Sequence, residues 1–373
     1  MKNGSSSSMD RLIATYLIHA SAAQIEARAQ AIAVEQSVEM PLSAISSPRI
    51  LDEVVGQVLS ITSAGPEQFL VRIGLSLETT GFEIGQTMNM LFGNASILEG
   101  VRLIDAEFPE SLLAAFRGPR FGIEGLRRLV QAEERPLTAT AIKPQGSGPE
   151  DLARLCAAFA RSGIDVIKDD HGLANQAGAP FARRVAACQK AVRDANQQTG
   201  HATLYAPNLS GGPRALAEQA RIAKEEGVGM VMLTPMLQGL AATLELIEEQ
   251  LDVPVLGHPA MAGASRIAPP LLIGKLFRLA GLDAVVFPNH GGRFSYSPDT
   301  CRDLAQASRA PWGDHRPSLP VPAGGMSPER VDEMIGFYGP DTMLLIGGAL
   351  LEARDSLEEA SRAFVERVAQ ARL

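Results

Sequence analysis

The stretch "LTATAIKPQGSGPEDLARLCAAFARSGIDVIKDDH" (residues 137–171) decides the fold. It opens on an apolar run that ends in Lys143-Pro144. A helical pattern follows, "PEDLARLCAAFARSG" (149–163), and then a second apolar run, "DVIKDDH" (165–171). Two near-continuously apolar runs joined by an amphipathic helix read as a βαβ unit in a parallel sheet buried on both faces. The unit recurs. "ATLYAPN", "GMVMLTP", "VPVLGHP", "DAVVFPN", "LPVPAGG" and "TMLLIGGAL" are each followed by a helical pattern, the weakest being "SPDTCRDLAQASR". Eight such units over roughly 230 residues fit a (β/α)8 TIM barrel, typically about 250 residues long. A doubly wound sheet would carry its glycine-rich phosphate turn after the first strand. Here that turn is "KPQGSG", and the paired glycines come late, at Gly324-Gly325 and Gly347-Gly348.

The residues ahead of the barrel mix strand and helix. "LIATYLIHA" (12–20), "QFLVRIGLSL" (68–77) and "MNMLFGN" (88–94) read as strands. "SAAQIEARAQAIAVEQS" (21–37) reads as a helix capped by Ser21. This gives an N-terminal α+β domain, ferredoxin-like, over residues 12–118, and a barrel over 119–373. The start, "MKNGSSSSMDR" (1–11), lacks the apolar stretch of a signal peptide and reads as a disordered leader, with Met9 an alternative start.

The composition bounds the function. A net charge of −8 argues against nucleic acid or an anionic membrane as partner, and no apolar run reaches membrane-spanning length. Cys156, Cys188 and Cys301 are far apart and show no metal or disulfide spacing, so a reducing cytoplasm is the expected compartment.

Active sites of TIM barrels lie at the C-terminal strand ends. In order these ends carry Lys143, Lys168/Asp170/His171, Asn208, Thr234, His258, Asn289/His290, Gly324/Gly325 and Gly347/Gly348. Polar side chains at six of eight ends point to an enzyme. The glycine pairs fall after strands seven and eight, where backbone N–H groups of such barrels meet phosphate. In "VIKDDH" the period of two sets Lys168 and Asp170 on one side and Asp169 on the other. Lys168 beside Asp170 reads either as an ion pair or as a lysine that takes up CO2 as a carbamate, an anionic oxygen ligand suited to Mg2+.

From Leu12 to the C-terminus the chain resembles the large subunit of ribulose bisphosphate carboxylase, and more closely the non-carboxylating, type IV rubisco-like proteins. "GIDVIKDDH" resembles the family's Gly-x-Asp-x-x-Lys-Asp-Asp-Glu metal motif, and "AIKPQG" its Lys-Pro-Lys-x-Gly strand end. "GHPAMAG" resembles its His-Arg-Ala-Met-His segment, "FGNAS" its Gly-Asn segment, and "AGG" and "GG" its phosphate turns. The resemblance implies that Lys168 is carbamylated and binds Mg2+, Mn2+ or another divalent metal with Asp170 and His171. Lys143 would be the acid/base, with His258 and His290 lining the pocket. Gly324, Gly325, Gly347 and Gly348 would hold a phosphate, and Arg293 would replace a lost cation. Glu35 and Asn94 would reach the site from a neighbouring subunit, which implies at least a homodimer.

Departures remove carboxylation from these expectations. His171 stands where the metal motif has Glu, and Gln145 replaces the second lysine of the first strand end. Pro259 replaces a phosphate-binding arginine, Ala262 a second histidine and Ala323 a serine. No counterpart of the mobile-loop lysine stands in "NHGGRFSYS". Enolisation of a phosphorylated ketose or keto sugar acid remains. Proton transfer would give an isomerase of the 5-methylthioribulose 1-phosphate type. Decarboxylation of a 3-oxo sugar-acid phosphate and enolisation of a diketone phosphate are the alternatives. A non-catalytic sugar-phosphate binder would have no use for Lys143, Lys168 and Asp170 together.

Overall fold

The computed structural model describes residues 10–371. Two compact units are distinct. One runs through Phe116 and takes in Gly263–Leu271; the other holds Arg117–Ala262 and the chain from Leu272 on. The residues before Asp10, most of the expected leader, lie outside the described residues, and Arg11 already belongs to a strand.

The first unit is built from β1 (Arg11–His19), a helix Ile25–Glu35, β2 (Gln57–Gly65), β3 (Gln68–Ser76), a helix Ile84–Phe92 and β4 (Val101–Glu107). The sheet order is β2-β3-β1-β4, antiparallel throughout. This β–α–β–β–α–β arrangement is the ferredoxin-like one. Along β1 every second residue is buried, Leu12, Ala14, Tyr16 and Ile18, as a half-buried strand requires. The Tyr16 hydroxyl donates to the Leu91 carbonyl at 2.6 Å and so ties the sheet to the second helix.

Two local expectations are corrected. "MNMLFGN" is helical as far as Phe92, not a strand. Its start is set upstream, where the Glu83 carboxylate accepts the N–H groups of Gly85 (2.9 Å) and Gln86 (2.6 Å). Buried Ile84, Thr87 and Leu91 then follow at helical spacing. Ser21 does not cap the first helix. Its hydroxyl bonds Gln24 Oε1 at 2.9 Å, and the helix opens at Ile25.

The second unit carries eight parallel strands: β5 (Leu137–Ile142), β6 (Val166–Asp169), β7 (Leu204–Ala206), β8 (Val231–Leu233), β9 (Val255–Gly257), β10 (Ala284–Pro288), β11 (Leu319–Ala323) and β12 (Met343–Leu345). Ladders run β12-β5-β6-β7 and β8-β9-β10-β11, and the Asn208–Met232 bridge joins β7 to β8. At the remaining seam, Leu319 N and Ala323 O bond toward β10. The amides of positions 320 and 322 therefore face β12, and both are prolines without an N–H. Thr342 Oγ1 bridges the seam instead, donating to Pro320 O at 3.1 Å. Alternate strand residues such as Ala139, Val166, Met232, Val286, Val321 and Met343 fill the interior. The helix Gly122–Val130 closes one end with Ile123, Leu126 and Val130. At that end the buried Asp283 carboxylate accepts the N–H groups of Phe121 (2.7 Å), Gly122 (2.8 Å) and Val255 (2.9 Å).

Candidate active site

Strand parity delivers the site. On β5, Ala139 faces the interior and Lys143 continues that side beyond the strand end; on β6, Val166 does so and Lys168 follows it. Asp169 faces the helices. There it meets Arg184 Nε at 3.1 Å, the Tyr205 hydroxyl at 2.7 Å and the Asn208 N–H at 3.0 Å, with no side-chain exposure at either end of the ion pair.

Lys168 is 3% exposed, and Nζ donates to the Asp169 carbonyl at 2.7 Å. Burial pushes its amine down to about 8, aided by the Lys143 charge and opposed by Asp170 and Asp169. Asp170 pairs with Lys143 and accepts the Gly172 N–H at 3.0 Å. Burial pushes the Asp170 carboxyl up, but the Lys143 bond, the Gly172 N–H and the nearby lysine charges bring it down to about 2.

His171 Nδ1 lies 3.6 Å from Asp170 Oδ1, and its ring stacks on His258 with centroids 4.3 Å apart and planes 11° from parallel. Burial, then the charge of Lys168 and the His171 ring, push the His258 imidazole down to about 2. Its Nδ1 accepts the Ala260 N–H at 3.2 Å, which leaves the proton on Nε2. Burial also lowers His171, with Lys168, Lys143 and Arg293 adding to the effect and Asp170 opposing it.

The other predicted residues are placed differently. His290 turns its ring onto Phe337 of the helix Val331–Tyr338, 4.5 Å between centroids, and its carbonyl accepts from Arg330. The Arg293 guanidinium lies 5.1 Å over the Phe294 ring, and its charge is felt at His171. The two glycine pairs differ. Gly324 and Gly325 have φ of 82° and 89°. A Cβ on Gly324 would meet the Phe294 ring at 2.8 Å, and one on Gly325 the Gly292–Arg293 backbone at 2.9 Å. Among the described residues, a Cβ on Gly348 would meet nothing within 4 Å, and one on Gly347 only Ala141 at 3.8 Å. In the first unit, Asn94 Nδ2 donates to Glu35 Oε1 at 2.8 Å, so those two residues form one polar pair.

Among the described residues, no three His, Cys, Asp or Glu side chains gather as a metal site. Asp170 and His171 supply two donors. A third would come from Lys168 as a carbamate, and a buried lysine with a lowered pKa beside a carboxylate fits that group.

The contacts of three side chains carry no signal in the sequence. Arg184 sits inside an ordinary helical pattern and is marked only by its burial against Asp169. The Gln145 side chain packs against Gly172, occupying the place a Cβ there would take. Asn208 stands at a strand end, but its contacts with the loop after β6 follow only from the fold.

A ferredoxin-like unit followed in the chain by a (β/α)8 barrel, with a buried lysine and a carboxylate at the mouth of the barrel's second strand, has the architecture of the ribulose bisphosphate carboxylase class. Residues 122–369 match the family model described as ribulose bisphosphate carboxylase large chain, catalytic domain. The chain is 53% identical to 5-methylthioribulose-1-phosphate isomerase of Rhodospirillum rubrum, over 97% of each chain. It is 32% identical to 2,3-diketo-5-methylthiopentyl-1-phosphate enolase of Geobacillus kaustophilus, covering 95% of this chain and 91% of that one. The crystal structure of a Rubisco-like protein from Rhodopseudomonas palustris superposes with a TM-score of 0.91 at 48% identity, covering 97% of this chain and 99% of that one. The chain belongs to the ribulose bisphosphate carboxylase large-chain family, in its type IV, rubisco-like branch.

Proposed function

We propose that this chain is an isomerase that enolises a phosphorylated ketose by proton transfer without fixing CO2, with 5-methylthioribulose 1-phosphate as substrate. The observation that carries this reading is the convergence of Lys143, buried Lys168 and Asp170 at one barrel mouth, in a chain 53% identical to an isomerase named for that compound. Mg2+ or another divalent cation, held by Asp170, His171 and a Lys168 carbamate, would polarise the substrate carbonyl and stabilise the enediolate charge.

The chain's own residues do the rest. Lys143, partly exposed at the mouth, moves the proton. His258, neutral and with Nε2 carrying its hydrogen, donates a hydrogen bond to a substrate oxygen. The amides at Gly347 and Gly348 receive the phosphate where space is open, and Arg293 adds positive charge. Glu35 and Asn94, already paired, complete the site of a neighbouring subunit, so the working unit is a cytoplasmic homodimer. Among the described residues no helix is long and apolar enough to cross a membrane.

The test is turnover of 5-methylthioribulose 1-phosphate in D2O, followed by NMR with metal and bicarbonate present. Deuterium beside the carbonyl and a new isomer, both abolished by Lys168→Ala, are expected. CO2 release from a 3-oxo sugar-acid phosphate, with no exchange in this ketose, would make the chain a decarboxylase. Turnover of 2,3-diketo-5-methylthiopentyl 1-phosphate alone would make it an enolase. No exchange in any ketose phosphate overturns the enolising reading.

A further inference from the structure

We infer that Asn208 is a positioning residue for the turn that presents Asp170 and His171, an inference that rests on the metal site proposed above. Asn208 follows β7 and is 1% exposed. Its main-chain N–H donates to Asp169 Oδ2 at 3.0 Å. Its side-chain Nδ2 donates to two carbonyls, His171 O at 3.0 Å and Leu173 O at 2.8 Å. One residue of the third strand end therefore grips the chain on both sides of Asp170.

The turn it grips is closed on itself. Leu173 N–H donates to Asp170 O at 2.9 Å, and Gly172 N–H to Asp170 Oδ1 at 3.0 Å. The direction of the Asp170 carboxylate thus depends on where residues 171–173 lie, and the planar amide of Asn208 fixes two of those carbonyls. Asn208 Oδ1 is buried with no hydrogen-bond partner among the described residues. A buried unpaired acceptor is unfavourable, so a side chain that merely filled space here would better be apolar. The two donated bonds are what asparagine supplies. Losing a partner that orients a metal ligand in this way typically costs about 10–100-fold in metal affinity.

The bond to Asp169 belongs to the main chain and survives substitution, so replacing the side chain isolates the grip on the turn. Mn2+ titration of the full chain in bicarbonate, read by electron paramagnetic resonance, compares the wild type with Asn208→Ala. Asn208→Leu, close in volume and without charge, serves if the alanine variant does not fold. We expect the Mn2+ dissociation constant to rise by about 10-fold or more, and the Gly172 and Leu173 amides to exchange hydrogen faster. Unchanged Mn2+ affinity with a lowered Tm would show Asn208 to be packing only and would overturn this inference alone. A wild-type chain that takes up no Mn2+ would overturn the metal reading, and this inference with it.

Discussion

His171 and His258 stack face to face, 4.3 Å between ring centroids, across the ends of β6 and β9. Each ring is pushed toward its neutral form by burial, and the Lys168 charge adds to this at both. A neutral His258 offers a fixed N–H, not a proton to transfer. His258→Phe keeps a ring for the stack and removes the donor. It should lower kcat by about 100-fold, the scale of losing one well-placed donor, with Tm changed little. Because His258 lies near 2, the wild-type rate profile between pH 5 and 9 should show no limb that His258→Phe removes. Disappearance of such a limb in the variant would contradict this role.

Lys168 sets a second pH dependence. CO2 adds to the neutral amine only. With the pKa pushed down to about 8, the neutral fraction at pH 7 is about 300-fold that of an ordinary lysine. Uptake of 13C-bicarbonate, read as a carbamate resonance, should rise from pH 7 to about 8.5 and then level off. Lys168→Arg should show none at any pH. The same shift has a sign for stability. The folded pKa lies below the unfolded value, so the uncarbamylated protein is destabilised below about pH 8. It regains stability as pH rises from there toward the ordinary lysine value.

The glycine pairs give a contrast. An alanine at Gly348 finds open space, so Gly348→Ala should fold normally. Its methyl group would stand where phosphate approaches the backbone. KM for a phosphorylated substrate should rise by about 10-fold, and inhibition by inorganic phosphate should weaken equally. Gly324→Ala meets both a φ of 82° and the Phe294 ring. It should cost about 1–2 kcal/mol and loosen residues 292–294, seen as a lower Tm and faster amide exchange there. Equal effects of the two substitutions on KM and Tm would contradict this division.

Much of the barrel and its rim was legible in sequence because parity and strand ends are local. "VIKDDH" sets Lys168 and Asp170 on one side and Asp169 on the other, and in the fold Arg184 and Tyr205 meet Asp169 on the outer side. The rest depended on contacts between segments far apart. The helix Ile84–Phe92 looks like a strand in sequence because a short apolar run has no decisive period, and its start depends on Glu83 upstream. The resemblance sets His290 beside His258 in the pocket; that its ring packs on Phe337, a neighbour 47 residues further along, no local pattern shows. β2 and β4 give no strand signal in sequence: β2 is largely exposed, and the charged Arg102, Asp105 and Glu107 of β4 mask its buried Val101, Leu103 and Ala106.

The far end of the barrel tests whether stability and chemistry separate along its axis. Asp283 precedes β10 and is 1% exposed. One carboxylate oxygen accepts two N–H groups at the start of the helix Gly122–Val130, and the other accepts Val255 N–H of β9. Burial raises the Asp283 pKa against the pull of those three donors. In Asp283→Asn an amide N–H must face a main-chain N–H on one side, leaving at least one buried donor unpaired. The change should cost about 1–3 kcal/mol, read as a lower urea midpoint with an unchanged m-value. Mn2+ affinity of the folded protein should stay at the wild-type value, because every group named at the mouth lies at the opposite strand ends. A loss of metal affinity matching the loss of stability would show that the two ends of the barrel are coupled.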